Sequence, residues 1–181
     1  MKHTYALDVE TTGLRVPKPG IAKPDEIIQL AIVDVNGSAL FNEYFRPESN
    51  SISSDARHAN HISDKMLRSK YLFREHLNAI QRLVSEADLI IMYNAEFDTA
   101  FLSYQGIKFT DTPVFCLMKA FSRLQAVRKP SRQSNRRYTL GQCAEYFKVS
   151  ITGKAHDALT DARTTLSCYI EMLRLTEAKE G

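Results

Sequence analysis

The chain has 181 residues, and we expect residues 1–181 to form a single domain, because this length suits one hydrophobic core. Its 44% hydrophobic and 25% charged residues are ordinary for a soluble globular protein, and no apolar run approaches the roughly 20 residues that cross a bilayer. The N-terminus has no signal-peptide pattern, and three widely spaced cysteines argue against a disulfide framework or a zinc cage. These features favour a reducing cytoplasm as the compartment.

The net charge of +3 is unevenly distributed along the chain. Between Thr112 and Ala144 there is no acidic residue, so the remainder of the sequence is slightly acidic. That stretch contains seven basic residues, which are Lys119, Arg123, Arg128, Lys129, Arg132, Arg136 and Arg137. The sequence therefore carries one cationic segment on a weakly acidic body.

The first part of the chain predicts three strands. Residues 5–9 are apolar and indicate a buried strand, and residues 15–25 contain three prolines and a glycine, which is typical of a loop. A β-branched run over residues 27–35 precedes Asn36-Gly37, and alternating aromatic residues follow around 41–45. Because Asn-Gly between two such runs is a strong hairpin signal, we expect the second and third strands to pair.

The remaining sequence predicts mostly helices. We expect residues 47–69 to form a polar loop with a short helix near 63–67, and residues 125–137 to form a basic, aperiodic loop. Residues 89–92 indicate a short buried strand, and helical spacing of apolar residues is found over 72–86, 97–102, 140–147 and 157–178. This order predicts an α/β fold in which helices pack on a mixed sheet.

Two acidic residues interrupt the otherwise apolar first strand. Asp8 and Glu10 are two positions apart, so both side chains project from the same face of the strand. Two carboxylates on one face repel each other unless a cation lies between them, and hard oxygen ligands of this kind suit Mg²⁺ or Mn²⁺. A lone acid there would be interpreted as a surface group, whereas the pair favours a metal site.

Three further residues could take part in a reaction, but each one taken alone is weak evidence for a functional site. Asp98 and Asp161 each lie early in a predicted helix, where the helix dipole favours an acid without any functional role. His156 lies just before the last helix, and a single loop histidine is usually a solvated side chain. An imidazole with a pKa near 6.5 is nevertheless suited to accept a proton from water at neutral pH.

Taken in order, these residues fall in three motifs: DVETTGL at 8–14, NAEFD at 94–98 and HDALTDA at 156–162. The set resembles the DEDDh (DnaQ-like) 3′–5′ exonuclease family over essentially the whole chain. The resemblance implies a ribonuclease-H-like fold in which Asp8, Glu10, Asp98 and Asp161 bind two divalent cations, Mg²⁺ or Mn²⁺. It also implies that His156 is the general base that deprotonates the attacking water.

The resemblance further implies residues that contact the substrate. Those of the terminal-nucleotide pocket would be Thr11, Thr12, Gly13, Leu14, Asn94 and Phe97, with His61 as a further contact. Asn60-His61 replaces the family's usual His-Gly, and Tyr93 stands where relatives often have histidine. The resemblance assigns no role to the basic segment, but its charge makes it a candidate to bind the phosphate backbone through Arg128, Lys129, Arg132, Arg136 and Arg137, and a solvated loop explains it equally well.

The expected activity is hydrolysis of the last phosphodiester at a single-stranded or frayed 3′ end, with DNA favoured over RNA and release of nucleoside 5′-monophosphates. One alternative is an exoribonuclease of the same fold, because the carboxylates do not distinguish the sugars. Another is a proofreading subunit that acts with a polymerase partner, although the chain ends at Gly181, soon after the last helix, and we expect no docking tail. A binding module with an inactive site is disfavoured because unpaired buried carboxylates are costly.

Overall fold

The computed structural model describes residues 3–128 and 136–180. Within them, a five-stranded sheet has the order β3-β2-β1-β4-β5. Its strands are β1 (Thr4–Thr11), β2 (Ile27–Val33), β3 (Ala39–Tyr44), β4 (Leu89–Met92) and β5 (Val114–Cys116). The β1–β2 and β2–β3 pairs are antiparallel, whereas the β1–β4 and β4–β5 pairs are parallel. The predicted mixed sheet is therefore confirmed.

The described helices cover both faces of this sheet. They are α1 (Ser54–Asn60), α2 (Asp64–Leu67), a 3₁₀ helix (Phe73–His76), α3 (Leu77–Glu86), α4 (Ala95–Tyr104), α5 (Leu117–Arg128), α6 (Leu140–Phe147) and α7 (Ala158–Glu180). None of these described helices combines the length and the apolar composition needed to cross a membrane.

Alternate residues of β1 define the two halves of the core. Leu7 points to one side, where it joins a buried cluster with Ile80 of α3 and Phe101 of α4. Ala6 points to the other side, where the cluster includes Phe121 of α5 and Ala162 of α7. Because strand side chains alternate with period two, every even-numbered residue of β1 faces the α5–α7 layer.

Most of the predicted elements are confirmed with small changes in their ends. The Asn36-Gly37 hairpin joins β2 and β3, and the Gly37 amide donates to the Asp34 carbonyl across the turn. The short strand over 89–92 and the helix over 140–147 have the predicted bounds.

The loop predicted over residues 47–69 is wrong in its centre, where α1 forms. Ser53 caps this helix by accepting from the Ala56 amide at 3.2 Å, and His61 ends it with a left-handed φ of 60°. The helix has little apolar periodicity because only Asn60 among its residues is buried. The capping serine was the one available signal.

The loop predicted over residues 125–137 is also wrong at its beginning, because α5 continues to Arg128. Buried Leu117, Met118 and Phe121 hold this helix against the sheet. Gln, Ala and Arg are favourable helix residues, so residues 125–128 continue the helix once packing has started it. Residues 129–135, with Lys129 and Arg132, lie outside the described part of the chain.

The core position Leu30 offers a test of this architecture. Leu30 of β2 is 0% exposed, whereas Leu40 on the neighbouring edge strand is 40% exposed. We expect Leu30→Ala to lower the free energy of unfolding by about 2–5 kcal/mol, because it removes buried apolar volume and leaves a cavity. Leu40→Ala should change it by roughly 0.5 kcal/mol or less. Urea unfolding measures both, and equal losses would contradict the described position of β2.

Candidate active site

The alternation along β1 directs two acids toward the last helix. Asp8 and Glu10 follow Ala6 on the same face of the strand, and their partners on β2 are Ala31 and Gln29. That face is covered by α7. Both acids therefore approach the first turn of α7, near the carboxyl end of β1.

Asp98 reaches the same edge of the sheet from α4. Strands β1 and β4 are parallel, so their carboxyl ends lie together, and α4 starts just after β4. The Asp98 side chain is 3% exposed, and its Oδ1 accepts a hydrogen bond from the Val9 amide at 3.3 Å. This contact fixes the carboxyl group beside Asp8. Ligand sites at the carboxyl ends of strands are common in open α/β sheets.

The start of α7 completes the group. Asp161 Oδ2 accepts from the His156 amide at 3.2 Å, which holds the loop that carries His156. His156 has a left-handed backbone with φ 58°, and its side chain is exposed. One ligand atom from each of Glu10, His156 and Asp161 lies within 4.8 Å of the others, a spacing that could hold a metal ion.

Asp157 and Gln29 connect this loop to the sheet. Asp157 Oδ1 caps α7 by accepting from the Thr160 amide at 3.0 Å, and its Oδ2 accepts from Gln29 Nε2 at 3.0 Å. Gln29 Oε1 in turn accepts from the Ala158 amide at 3.2 Å. Gln29 is opposite Glu10 in the β1–β2 register, so the same pair of strands positions Glu10 and the residue after His156.

Burial disfavours the charged forms of the four acids, which we call the carboxyl cluster (Asp8, Glu10, Asp98 and Asp161), and repulsion within the cluster adds to this at Asp8 and Glu10. Burial, followed by the charges of Asp98 and Glu10, raises the pKa of Asp8 well above its usual value. Burial is also the largest cause that raises the pKa of Glu10 to about 8, of Asp98 to about 7 and of Asp161 to about 6. A divalent cation would remove this penalty, so the donor set fits one.

The carboxyl cluster lies at one side of a cavity of about 670 Å³, which we call the main cavity. Its described lining includes Asp8, Val9, Glu10, Thr11, Gly13, Leu14, Ser53, Asp55, Ala56, Ala59, Asn60, Tyr93, Asn94, Phe97, Asp98, Thr139, Leu140, His156 and Asp161. The cavity thus brings together all five expected catalytic residues with Thr11, Gly13, Leu14, Asn94 and Phe97. Leu14 is 81% exposed at its rim, and the Phe97 ring packs on Phe101 at 4.8 Å between centroids.

Thr12, which was expected in the terminal-nucleotide pocket, is not among the described residues that line the main cavity. Its side chain is buried, and Thr12 Oγ1 donates to Asp25 Oδ1 at 3.0 Å. A Cβ atom at Gly13 would lie 2.6 Å from Asp25 Oδ2, so glycine is required by this close approach. Asp25 also accepts from the Arg15 amide at 2.8 Å. Thr12 and Asp25 therefore shape the loop that presents Gly13 and Leu14.

Other expected substrate residues lie elsewhere. His61 is exposed at the end of α1 and is not among the described residues that line the main cavity. Arg136 and Arg137 line a different cavity, which they share with Lys119. Arg128 is the last residue of α5. The substrate-binding roles of these residues stay predictions.

The sequence did not indicate the wall that α1 contributes. Asn60 lines the main cavity, whereas the expected contact His61 is not among its described lining. The Asn60 side chain is held by two hydrogen bonds: Nδ2 donates to the Thr11 carbonyl at 3.4 Å, and Oδ1 accepts from the Ile62 amide at 3.0 Å. A hydrogen bond from Asn60 also opposes the rise in the pKa of Glu10. The described residues that complete this wall are Ser53, Asp55, Ala56 and Ala59.

Comparison with known proteins shows which families the chain is similar to. A family model described as "Exonuclease" (RNase_T) matches residues 5–169. The chain is 28% identical to an uncharacterized exonuclease, CP81, of Escherichia phage 186 over 172 residues, which cover 88% of this chain and 82% of that protein. It is 30% identical over 173 residues to the DNA polymerase III subunit epsilon of Rickettsia typhi, with coverage of 92% and 72% respectively.

Solved structures share the fold at lower sequence identity. Exonuclease X in complex with 5′ overhanging duplex DNA has a TM-score of 0.69 and 20% identity, with coverage of 96% of this chain and 93% of that one. The nuclease domain of 3′hExo, a DEDDh family member bound to rAMP, has a TM-score of 0.64 and 15% identity, with coverage of 94% and 91%.

The raised pKa values predict an unusual pH dependence of stability in the presence of a chelator. An acid whose pKa is raised by folding stabilises the protein while it is protonated, and that contribution is lost as the pH rises through the folded-state pKa. The free energy of unfolding should therefore fall between about pH 5 and pH 8, since Glu10, Asp98 and Asp161 have raised pKa values of about 8, 7 and 6. Urea unfolding at each pH provides the measurement.

Glu10→Gln is the matched variant for this experiment. It keeps the size of the side chain and removes the group whose pKa is raised to about 8. We expect a shallower fall in stability above about pH 6 than in the unmodified protein, because one titrating group is gone. If the free energy of unfolding of the unmodified protein stays constant or rises between about pH 5 and pH 8, the raised pKa values of the carboxyl cluster are wrong.

Proposed function

The chain belongs to the exonuclease family, in its DEDDh group, and we propose that it hydrolyses the terminal phosphodiester at the 3′ end of single-stranded or frayed DNA. The products would be nucleoside 5′-monophosphates. The observation that carries the proposal is the convergence of the carboxyl cluster and His156 at one side of the main cavity. Acids separated by up to 153 residues in sequence meet there with a histidine suited to proton transfer.

We infer that Asp8, Glu10, Asp98 and Asp161 hold two divalent cations, Mg²⁺ or Mn²⁺. The support is their chemistry, since the buried Asp98 and the half-buried Asp8, Glu10 and Asp161 line one cavity and each has a raised pKa that a cation would lower. When bound, such cations activate water and stabilise the departing 3′ oxygen of an in-line displacement. The residues themselves keep this donor set in place through the Val9–Asp98 and His156–Asp161 hydrogen bonds.

His156 is the proposed general base. Its ring is exposed at the main cavity, within reach of Glu10 and Asp161, so it can accept a proton from a water molecule that lies beside these acids. The backbone contact to Asp161 and the anchoring of Asp157 by Gln29 limit the movement of the loop. A positioned base of this kind contributes about 10²–10⁴-fold to the rate.

The walls of the main cavity suit a terminal nucleotide. Leu14 and Phe97 offer apolar surface for a base, and Thr11 and Asn94 offer polar groups for the sugar and phosphate. The solved relative with duplex DNA supports DNA as the substrate, whereas the relative bound to rAMP supports an exoribonuclease as the second candidate. The relatives named polymerase III subunit epsilon support a polymerase as a partner.

Digestion of end-labelled single strands tests both the direction and the substrate. We expect mononucleotide release from the 3′ end of DNA in Mg²⁺ or Mn²⁺, faster than from RNA, and none in EDTA. Labels at the 3′ and 5′ ends distinguish the two directions. Faster loss of nucleotides from RNA would replace the DNA proposal by the exoribonuclease, and cleavage that persists in EDTA would contradict the metal dependence.

Substitutions at the site test the assigned roles. We expect Asp161→Asn to abolish turnover, because it removes a negatively charged ligand of the proposed cations. We expect His156→Ala to lower kcat about 10²–10⁴-fold, because it removes the proposed general base. Asp111→Asn and His58→Ala are matched controls, because both residues are exposed and neither is among the described lining of the main cavity. Circular dichroism checks that all four variants fold. Near-normal turnover in either site variant would make its role assignment wrong.

A further inference from the structure

Another cavity, of about 430 Å³, lies between α4, α5 and the segment that precedes α6. Four of its seven described lining residues are basic, and we call it the basic cavity. The lining consists of Glu96, Met118, Lys119, Ser122, Arg123, Arg136 and Arg137. The sequence had grouped some of these cations only as neighbours along the chain, whereas the fold places Lys119 and Arg123 of α5 opposite Arg136 and Arg137.

The basic cavity and the main cavity share two walls. Helix α4 presents Glu96 to the basic cavity and Phe97 to the main cavity. The chain before and at the start of α6 presents Arg137 to the basic cavity, and Thr139 and Leu140 to the main cavity. A strand whose 3′ end occupies the main cavity therefore has the basic cavity as a neighbouring site.

Tyr138 fixes the shared wall. The Tyr93 hydroxyl donates to the Tyr138 carbonyl at 2.6 Å, which ties this segment to the end of β4. The Tyr138 ring packs on buried Phe121 at 5.2 Å, and the Arg136 guanidinium lies over the same ring at 5.2 Å. Arg136 and Arg137 therefore directly precede a residue that is anchored on the core.

The charges in the basic cavity are only partly compensated. Lys119 Nζ is 2.5 Å from Glu96 Oε1, and this contact, followed by the charge of Arg137, lowers the pKa of Glu96. Within residues 3–128 and 136–180, no ion pair is found for Arg123, Arg136 or Arg137. Three guanidinium groups thus line one cavity without an ion pair to a carboxylate in the described part of the chain.

We propose that the basic cavity is a phosphate subsite for the substrate strand. It would bind a phosphodiester on the 5′ side of the terminal nucleotide. Glu96 would stay in its ion pair with Lys119 until that phosphate replaces it. This inference rests on the proposed function, since the strand must place its 3′ end in the main cavity. Guanidinium groups and the Ser122 hydroxyl recognise phosphate oxygens without regard to base sequence.

The first test removes two guanidinium groups that have no ion-pair partner in the described chain. The double variant Arg123→Gln/Arg137→Gln is compared with Arg46→Gln/Arg68→Gln, which makes the same charge change at exposed residues outside the described lining of both cavities. Fluorescence anisotropy gives the Kd for a decathymidylate in an Asp161→Asn background, which prevents cleavage. We expect Kd to rise about tenfold or more in the first pair and to change little in the second.

The dependence of log Kd on log salt concentration identifies the contact as a phosphate contact. Each phosphate neutralised on a single strand contributes a slope of about 0.7, so loss of two contacts should reduce the slope by roughly 1.4. An unchanged Kd and an unchanged slope in Arg123→Gln/Arg137→Gln would overturn the subsite. Equal losses in the two double variants would also overturn it, because they would show only an effect of net charge.

We expect Glu96→Gln to lower Kd, the opposite of the effect expected for Arg123→Gln/Arg137→Gln. It releases Lys119 from its ion pair without changing the shape of the side chain, so Kd for the decathymidylate should fall several-fold and the salt slope should become steeper by up to about 0.7. A higher Kd in Glu96→Gln would overturn the role given to Glu96.

A substrate that lacks the 5′ strand separates this inference from the proposed function. The p-nitrophenyl ester of thymidine 5′-monophosphate offers the terminal nucleotide alone, so its kcat and KM should be the same in Arg123→Gln/Arg137→Gln and the unmodified protein. If the unmodified protein hydrolyses neither this ester nor oligonucleotides, the proposed function fails, whereas the Kd comparison still tests the subsite. Saturable binding of inorganic phosphate, with no effect of the double variant on the decathymidylate, would assign the cavity to a free anion and overturn the strand subsite.

Discussion

Crowding of four carboxyl groups at one edge of the sheet is the constraint on which the rest of the site depends. Burial raises the pKa of each, and their mutual repulsion adds to the effect at Asp8 and Glu10. Such a cluster is unfavourable for folding at neutral pH unless cations or protons compensate it. The surrounding fold therefore has to supply the stability that the cluster removes, and the two-sided apolar packing of β1 provides it.

The cluster keeps its geometry because its members are fixed from different elements. The Val9 amide donates to Asp98, so the strand that carries Asp8 also orients the acid from α4. Gln29 of β2 fixes the start of α7 in the same way, because its side chain donates to Asp157 and accepts from the Ala158 amide. Donors placed in advance by rigid elements lose little conformational entropy when a ligand binds, which is the usual requirement for a catalytic centre.

Much of this arrangement could be predicted from local patterns. Alternation along β1 placed Asp8 and Glu10 on one face, and the order of strands and helices predicted the mixed sheet. The α1 wall could not be predicted, because Asn60 is the one buried residue of that helix and leaves no apolar period. The contact of Gln29 with Asp157 joins residues 128 apart, and a single sequence contains no signal for such a pair.

Tyr93 links the main cavity, which it lines, to the segment that carries the arginines of the basic cavity. Tyr93 directly follows β4, and its hydroxyl donates a hydrogen bond to the Tyr138 carbonyl at 2.6 Å. That bond spans 45 residues and holds the segment between the cationic stretch and α6 against the end of β4. Tyr93, Asn94 and Phe97 all line the main cavity, so one short stretch of chain contributes to that cavity and also holds the segment that carries Arg136 and Arg137. The Tyr93–Tyr138 hydrogen bond therefore holds in place a stretch of chain that both cavities use as a wall.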